Sequence, residues 1–157
     1  MQSKRRTTRI KVMQVVYAHI IAKDPIEKVK KDLLDTSEEP INREFADELI
    51  EKVLAHNDEF DKLIEGKVEN WEMDRIALVD KIVLKMGLSE ILFFPEIPPK
   101  VSINEAIDIA KEFGTKSSGK FVNGILDAIL KDLRNDGKLD KAGRGLQQET
   151  KKRINEE

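Results

Sequence analysis

The 157-residue sequence predicts an all-α fold, a compact helical bundle of two packed three-helix halves spanning about residues 1–66 and 67–135. Three observations carry that expectation. Apolar residues recur at three- and four-residue spacing through most of the chain, the period of a helix with one buried face. No segment alternates apolar and polar residues cleanly, as a half-buried strand would. The chain has only five prolines and eight glycines, few turn residues for a strand-rich sandwich.

Residues 4–22 read as the first helix, with Ile10, Met13, Val16, Tyr17 and Ile20 as its apolar stripe. Asp24-Pro25 starts a second, with Asp24 as N-cap, Pro25 at the first helical position and Glu27 reaching back. Its inward residues are Ile26, Val29, Leu33 and Leu34, and a loop follows from Thr36 to Pro40. Asn42 is placed to cap a long third helix carrying Phe45, Leu49, Ile50, Val53 and Leu54. A kink is expected around His56 to Asp58, before Phe60, Leu63 and Ile64, and Gly66 closes the first half.

Asn70 is placed to cap the next helix, with Trp71 in its first turn. Ile76, Val79, Ile82, Val83, Met86 and Ile91 line one side, and Leu78, Leu84, Leu88 and Leu92 widen the stripe until most faces are apolar. Such a helix is buried almost all round. Phe93-Phe94-Pro95 ends it, and the Ile-Pro-Pro run at 97–99 reads as an extended linker. Ser102 and Glu105 then have the spacing of a capping box, and Gly114 the position of a left-handed helix stop. The last helix is apolar at Phe121, Val122, Ile125, Leu126, Ile129, Leu130 and Leu133. Asn123-Gly124 inside it is a hairpin signal by local propensity. The apolar register runs through it unbroken, so the helix is retained. A glycine there costs roughly 1 kcal/mol against alanine and marks a close backbone approach. After Asn135 the chain becomes polar and charged, and residues 136–157 read as a flexible tail or a frayed helix.

Composition excludes several classes of function. There is no cysteine, so disulfides and thiolate metal sites are excluded and a reducing compartment is compatible. No apolar run approaches the about 20 residues of a membrane span, and no signal-peptide core follows the basic N-terminus. The expected location is cytoplasmic. No phosphate-binding loop, dinucleotide fingerprint or nucleophile elbow is present. His19 and His56 have no partner at metal-ligand spacing, and Glu38-Glu39 lies in a loop without a basic partner. The sequence therefore reads as a non-enzyme with no metal and no cofactor.

Charge is unevenly spread. Of 28 basic residues, six (Lys4, Arg5, Arg6, Arg9, Lys11 and Lys23) fall in residues 1–23, which hold no acid. The remainder carries 22 basic against 30 acidic residues. The basic end is a candidate anion site and the acidic body is not. Arg5 and Arg9 are one helical turn apart, with Arg6 on an adjacent face, and guanidinium groups suit phosphates and base faces. A frayed, solvated terminus fits this cluster equally well on charge alone. Phe113 and Phe121, at helical spacing, would ordinarily be core. Yet Lys116, Ser117, Ser118, Gly119 and Lys120 immediately precede Phe121. A polar, basic helix start suits an anion, and an exposed ring beside it can stack a base. Lys81 and Lys85, four apart, read alone as an ordinary solvated face.

The stretches VSINEAIDIAKEFG and KFVNGILD closely resemble the NusB family of bacterial transcription antitermination factors. RRTTRIKVMQVVY, with Gln14 and Tyr17 in register, resembles that family's arginine-rich opening helix, and Asn70-Trp71 and VDKIVLKMGLSEI its middle. The resemblance spans about residues 4 to 133. It implies binding of boxA-type single-stranded RNA together with the ribosomal protein acting as NusE, inside an RNA polymerase antitermination complex that keeps transcription of ribosomal RNA operons processive. It implies RNA contacts from the Lys4, Arg5, Arg6 and Arg9 segment, from Tyr17, and from the Lys116, Ser117, Lys120 and Phe121 corner with Phe113. Lys81 and Lys85 extend this positive track, although the family often has arginine at the place of Lys85. Ser117 stands where some members have an acid. Asp80 and Glu90 fall on the helix the family assigns partly to the protein partner. Members differ in self-association, so a homodimer is kept among the partners. A similar domain occurs fused to RNA cytosine methyltransferases, but that version needs a second domain and a catalytic cysteine, which this chain lacks. The alternative is a helical protein-interaction module that never touches RNA. The RNA reading expects the N-terminal helix and the Lys116–Phe121 corner to form one surface.

Overall fold

The computed structural model describes residues 3–68 and 73–139. Those residues form seven α-helices and no strand. They are α1 (Lys4–Ala22), α2 (Ile26–Leu33), α3 (Arg43–Ala55), α4 (Asn57–Glu65), α5 (Leu78–Phe93), α6 (Pro99–Phe113) and α7 (Ser118–Asn135), with a single 3-10 turn at Met73–Arg75. The all-α expectation holds. None of these helices is long and apolar enough to cross a membrane. The chain divides into two compact units, Met1–Ala55 and His56–Glu157.

That division falls between α3 and α4 rather than at Gly66. The expected kink at His56 is a full break in the helix, with His56 preceding α4 at φ −108° and ψ 19°. Its ring stacks on Phe93 at the end of α5, with centroids 4.2 Å apart. Phe60, fully buried, lies in the same ring cluster, so α4 is packed with α5.

In the first unit α1 packs against α2 and α3. Ser3 starts α1, its hydroxyl accepting from the Arg6 N–H at 3.1 Å. Thr8 is buried. Its hydroxyl donates to the Lys4 carbonyl and accepts from the Asn42 N–H at 2.9 Å, which ties the start of α3 to α1. Asn42 caps α3 as expected, its Oδ1 accepting from the Phe45 N–H at 3.0 Å. Asp24 does not cap α2. The helix starts at Ile26 with Pro25 as N-cap, and the Asp24 carboxylate pairs instead with Lys28. The expected stripe of α1 is also corrected. Val12, Met13, Val15 and Val16 are buried, whereas Tyr17 and Ile20 are exposed. The helix carries more apolar residues than its packed face takes up.

In the second unit α5 is the central element, with every residue from Ile82 to Ile91 buried. α6 and α7 pack against it and against each other. A Cβ on Gly87 would come within 2.9 Å of Leu126, so α5 and α7 meet at a point where only glycine fits without rearrangement. α5 begins at Leu78, after the 3-10 turn. The Asn70 cap and Trp71 lie outside the described residues. Pro98 and Pro99 are no linker: Pro98 is the N-cap and Pro99 opens α6, where proline's fixed φ suits the first helical turn. Ser102 is therefore already inside the helix, and no capping box forms with Glu105. Its hydroxyl donates to Glu90 Oε1 at 3.0 Å.

Gly114 is extended at φ −98° and ψ −154°, not left-handed. It is needed for space, because a Cβ there would collide with the Ser118 hydroxyl and the Ala110 carbonyl. α7 runs through Asn123-Gly124, as the apolar register requires. No atom lies within 4 Å of a Cβ built on Gly124, so the close approach expected at this glycine does not come from the chain's own described residues.

Candidate nucleic-acid interface

The arginines of α1 are held against a ring. The Arg5 guanidinium carbon lies 4.2 Å from the Phe45 ring centroid and that of Arg9 5.2 Å. Each such contact is worth roughly 0.5–2 kcal/mol, more when desolvated. Arg9 is only 4% exposed, so it is a buried cation of the α1–α3 packing and not a solvated phosphate contact. This corrects its expected role. Arg5 and Arg6 are half-buried and Lys4 is exposed. Tyr17 is 40% exposed, with Ile20 and Ile21 exposed three and four residues on.

The Thr115–Phe121 corner is built by one buried serine. Ser118, the first residue of α7, accepts from the Thr115 N–H at 2.8 Å and donates to Asp80 Oδ2 at 3.0 Å. These bonds fasten the α6–α7 loop to the start of α5. Lys116, Ser117 and Lys120 are left exposed, and Phe121 half-buried. Phe113, which helical spacing alone would place in the core, is 37% exposed.

Asp80 is buried, and desolvation raises its carboxyl above the usual carboxylate range, opposed by the Ser118 hydrogen bond. Its Oδ1 is buried without a hydrogen-bond partner among the described residues. Asp80 lies in the wall of a cavity of ≈ 410 Å³. Ile76, Ala77 and Phe121 give it apolar surface, and Arg75, Thr115, Ser117 and Lys120 give it polar surface. Ala77, Thr115 and Arg75 carry no sequence signal for this role, since none belongs to a motif or a stripe.

Three further expectations are corrected. Lys85 is no open cation. It is buried, and its ammonium bonds Asn57 Oδ1 at 2.6 Å and pairs with Asp61 at 2.8 Å. Lys81, one turn earlier, is half-buried. Asp80 and Glu90, expected toward a protein partner, are 6% and 2% exposed and hydrogen-bonded to Ser118 and Ser102. Neither presents a carboxylate to a docking protein. The histidines are accounted for locally: His19 Nδ1 lies 2.7 Å from the Asp24 carbonyl, and His56 contacts Glu59. No group of three His, Cys, Asp or Glu side chains among the described residues could hold a metal.

The family model described as the NusB family matches residues 6–131. The chain belongs to the NusB family. The transcription antitermination protein NusB of Salinibacter ruber is 44% identical over 146 residues, which cover 92% of this chain and 91% of that protein. NusB from T. maritima has a TM-score of 0.75 at 36% identity, covering 84% of this chain and 94% of its own. A chain from the crystal structure of antitermination factors NusB and NusE in complex with dsRNA has a TM-score of 0.73 at 25% identity, covering 84% of this chain and 99% of its own. The stretch matched to the NusB family includes Arg6, Tyr17 and the whole Thr115–Phe121 corner, while Lys4 and Arg5 precede it.

Proposed function

We propose that this protein is a transcription antitermination factor that binds boxA-type RNA together with the ribosomal protein acting as NusE. Its action is binding, not catalysis, and it takes place in the cytoplasm within the antitermination complex on RNA polymerase. The observation that carries the reading is family membership over residues 6–131, joined to a structural relative seen with NusE and dsRNA. Lys4, Arg5 and Arg6 of the first unit neutralise phosphates. Lys116, Lys120 and the hydroxyl of Ser117 in the second unit do so too, with Lys81 as an extension. Tyr17, Phe113 and Phe121 offer rings to unstacked bases. Ile20 and Ile21 offer apolar contact to the protein partner. The acidic body suits a basic ribosomal protein, because opposite potentials speed encounter.

The test is RNA binding across a salt series, with and without the ribosomal partner, using single-stranded boxA and a duplex. Neutralising about three to five phosphates on a single strand gives a slope of log K against log salt of roughly −2 to −3.5. A flat salt response, with partner binding intact, would instead mark a protein-interaction module.

A further inference from the structure

We infer that the middle of α7, at Asn123, Gly124 and Asp127, is a seat for a basic side chain of the protein partner: the stem of a lysine or arginine lies on the bare Gly124 backbone and its charged head meets the Asp127 carboxylate. The inference rests on the partner reading above and adds to it a specific contact on this helix.

Gly124 is the residue that needs an explanation. A glycine inside a helix weakens it relative to alanine, so one that is kept has a packing or functional use. Gly87 has a packing use, because a Cβ there would meet Leu126. Gly119, near the start of α7, has one as well. A Cβ on it would stand 2.8 Å from Lys111 Cγ and 3.0 Å from Lys111 Cε, so the lysine stem runs across bare backbone. Gly124, further along the same helix, is exposed, and nothing lies within 4 Å of a Cβ built on it. None of the described residues covers its backbone. Gly119 shows what fits such a place: a long basic side chain laid flat.

The neighbours of Gly124 choose the charge. Asp127 stands three positions after Gly124 and four after Asn123, so the three residues share one face of α7. Side chains on a helix lean toward its N-terminus, which sets residue 127 over the turn that holds Gly124. Asp127 and Asn123 are exposed, and neither side chain forms an ion pair or hydrogen bond with a described residue. Lys131, exposed four positions after Asp127, leaves that carboxylate unpaired too. A carboxylate repels a phosphate, so a nucleic-acid strand is disfavoured here. It attracts a lysine or arginine head, and the Asn123 side-chain oxygen can accept from the same head.

The position also suits a protein that binds beside RNA. Lys120 precedes Gly124 by four residues, about 6 Å along the helix axis. A polypeptide seated on Gly124 and Asp127 continues the surface that Lys120 and Phe121 offer to the strand, without replacing it.

The experiment uses the full chain, the ribosomal protein acting as NusE, and single-stranded boxA RNA, with affinities from calorimetry. Gly124→Leu places a branched side chain on the seat. Open space surrounds the site and leucine favours helix, so the melting temperature should not fall. Partner affinity should drop about 5- to 50-fold, and RNA affinity without the partner should change by less than about twofold. Asp127→Asn keeps the shape and removes the charge. It should lose about 3- to 10-fold in partner affinity at low salt and approach the native chain at high salt. Should Gly124→Leu melt lower, Asp127→Lys decides: the reversed charge should weaken partner binding more than Asp127→Asn does, and equal or tighter binding overturns the seat. Unchanged partner affinity in both Gly124→Leu and Asp127→Asn overturns it while partner binding stands. Loss of RNA affinity in the partner's absence, or altered self-association with partner affinity intact, also overturns it, by making the occupant the strand or a second copy. Absence of any partner binding by the native chain overturns the broader reading instead.

Discussion

The two cationic regions of this protein use their charges in opposite ways. On α1, the arginines are drawn down onto the chain's own ring, with Arg9 buried and Arg5 against Phe45. At the Thr115–Phe121 corner the lysines stand clear, and the ring beside them is left partly open. A guanidinium is weakly hydrated and tolerates stacking and burial; an ammonium is strongly hydrated and stays in water unless paired. The first region therefore combines charge with structural packing, and the second keeps charge and packing on separate residues. Lys85 shows the exception, an ammonium taken inside because Asn57 and Asp61 meet it there.

Substitutions can break this contrast, and the largest effect is expected at Lys85. Lys85→Ala strands a half-buried amide oxygen and a partly exposed carboxylate and leaves a gap in a buried site, and should lower stability by about 2 kcal/mol. Urea unfolding measures this, and RNA affinity should change by less than about twofold. A large loss of RNA affinity in a well-folded variant would put Lys85 back on the RNA path. Phe121→Ala should weaken RNA binding by about 5- to 100-fold. Its stability cost should stay below the roughly 3–5 kcal/mol of a fully buried phenylalanine, since the ring is half-buried.

Within α1 the contrast can be sharpened residue by residue. Arg9→Ala should cost about 1–2 kcal/mol of stability through lost ring contact and stem packing, with little change in salt slope. Arg5→Ala should reduce the slope by about 0.7 if Arg5 neutralises one phosphate. The reverse pattern would make Arg9 the nucleic-acid contact.

Asp80 allows a test by pH. Burial raises its carboxyl, so the folded state binds this proton more tightly than the unfolded chain. That contribution is fully present below the unfolded pKa, about 3.9. It is lost as pH rises through the raised native value. Asp80→Asn keeps an acceptor for Ser118 and removes the charge. It should be more stable than the native chain at neutral pH, with the advantage vanishing as pH falls toward about 4. The smallest effect is Gly124→Ala, which should stabilise by about 0.5–1 kcal/mol because open space surrounds the added Cβ. If partner or RNA affinity falls instead, the close approach at this glycine is made by a bound molecule.

The sequence by itself determined the helical class, the apolar registers of the helices, the buried character of α5 and the Asn42 cap. These follow from the spacing of apolar residues and from local hydrogen bonding, which neighbours along the chain settle. It also carried the family resemblance. Tertiary structure decided which helix-face residues are covered. Tyr17, Phe113 and Arg9 all went against simple hydropathy, because exposure depends on what another element places opposite a residue. Ser102 and Gly114 show the same dependence: each looked like a local helix signal and was instead shaped by a partner distant in the chain or by crowding at the turn. The cavity beside Phe121 is only partly written in the sequence: Asp80, Ser117, Lys120 and Phe121 are expected site residues, but nothing along the chain joins them to Arg75, Ile76, Ala77 and Thr115. Its walls come from the 3-10 turn, the start of α5 and the α6–α7 loop, and only packing brings those three segments together.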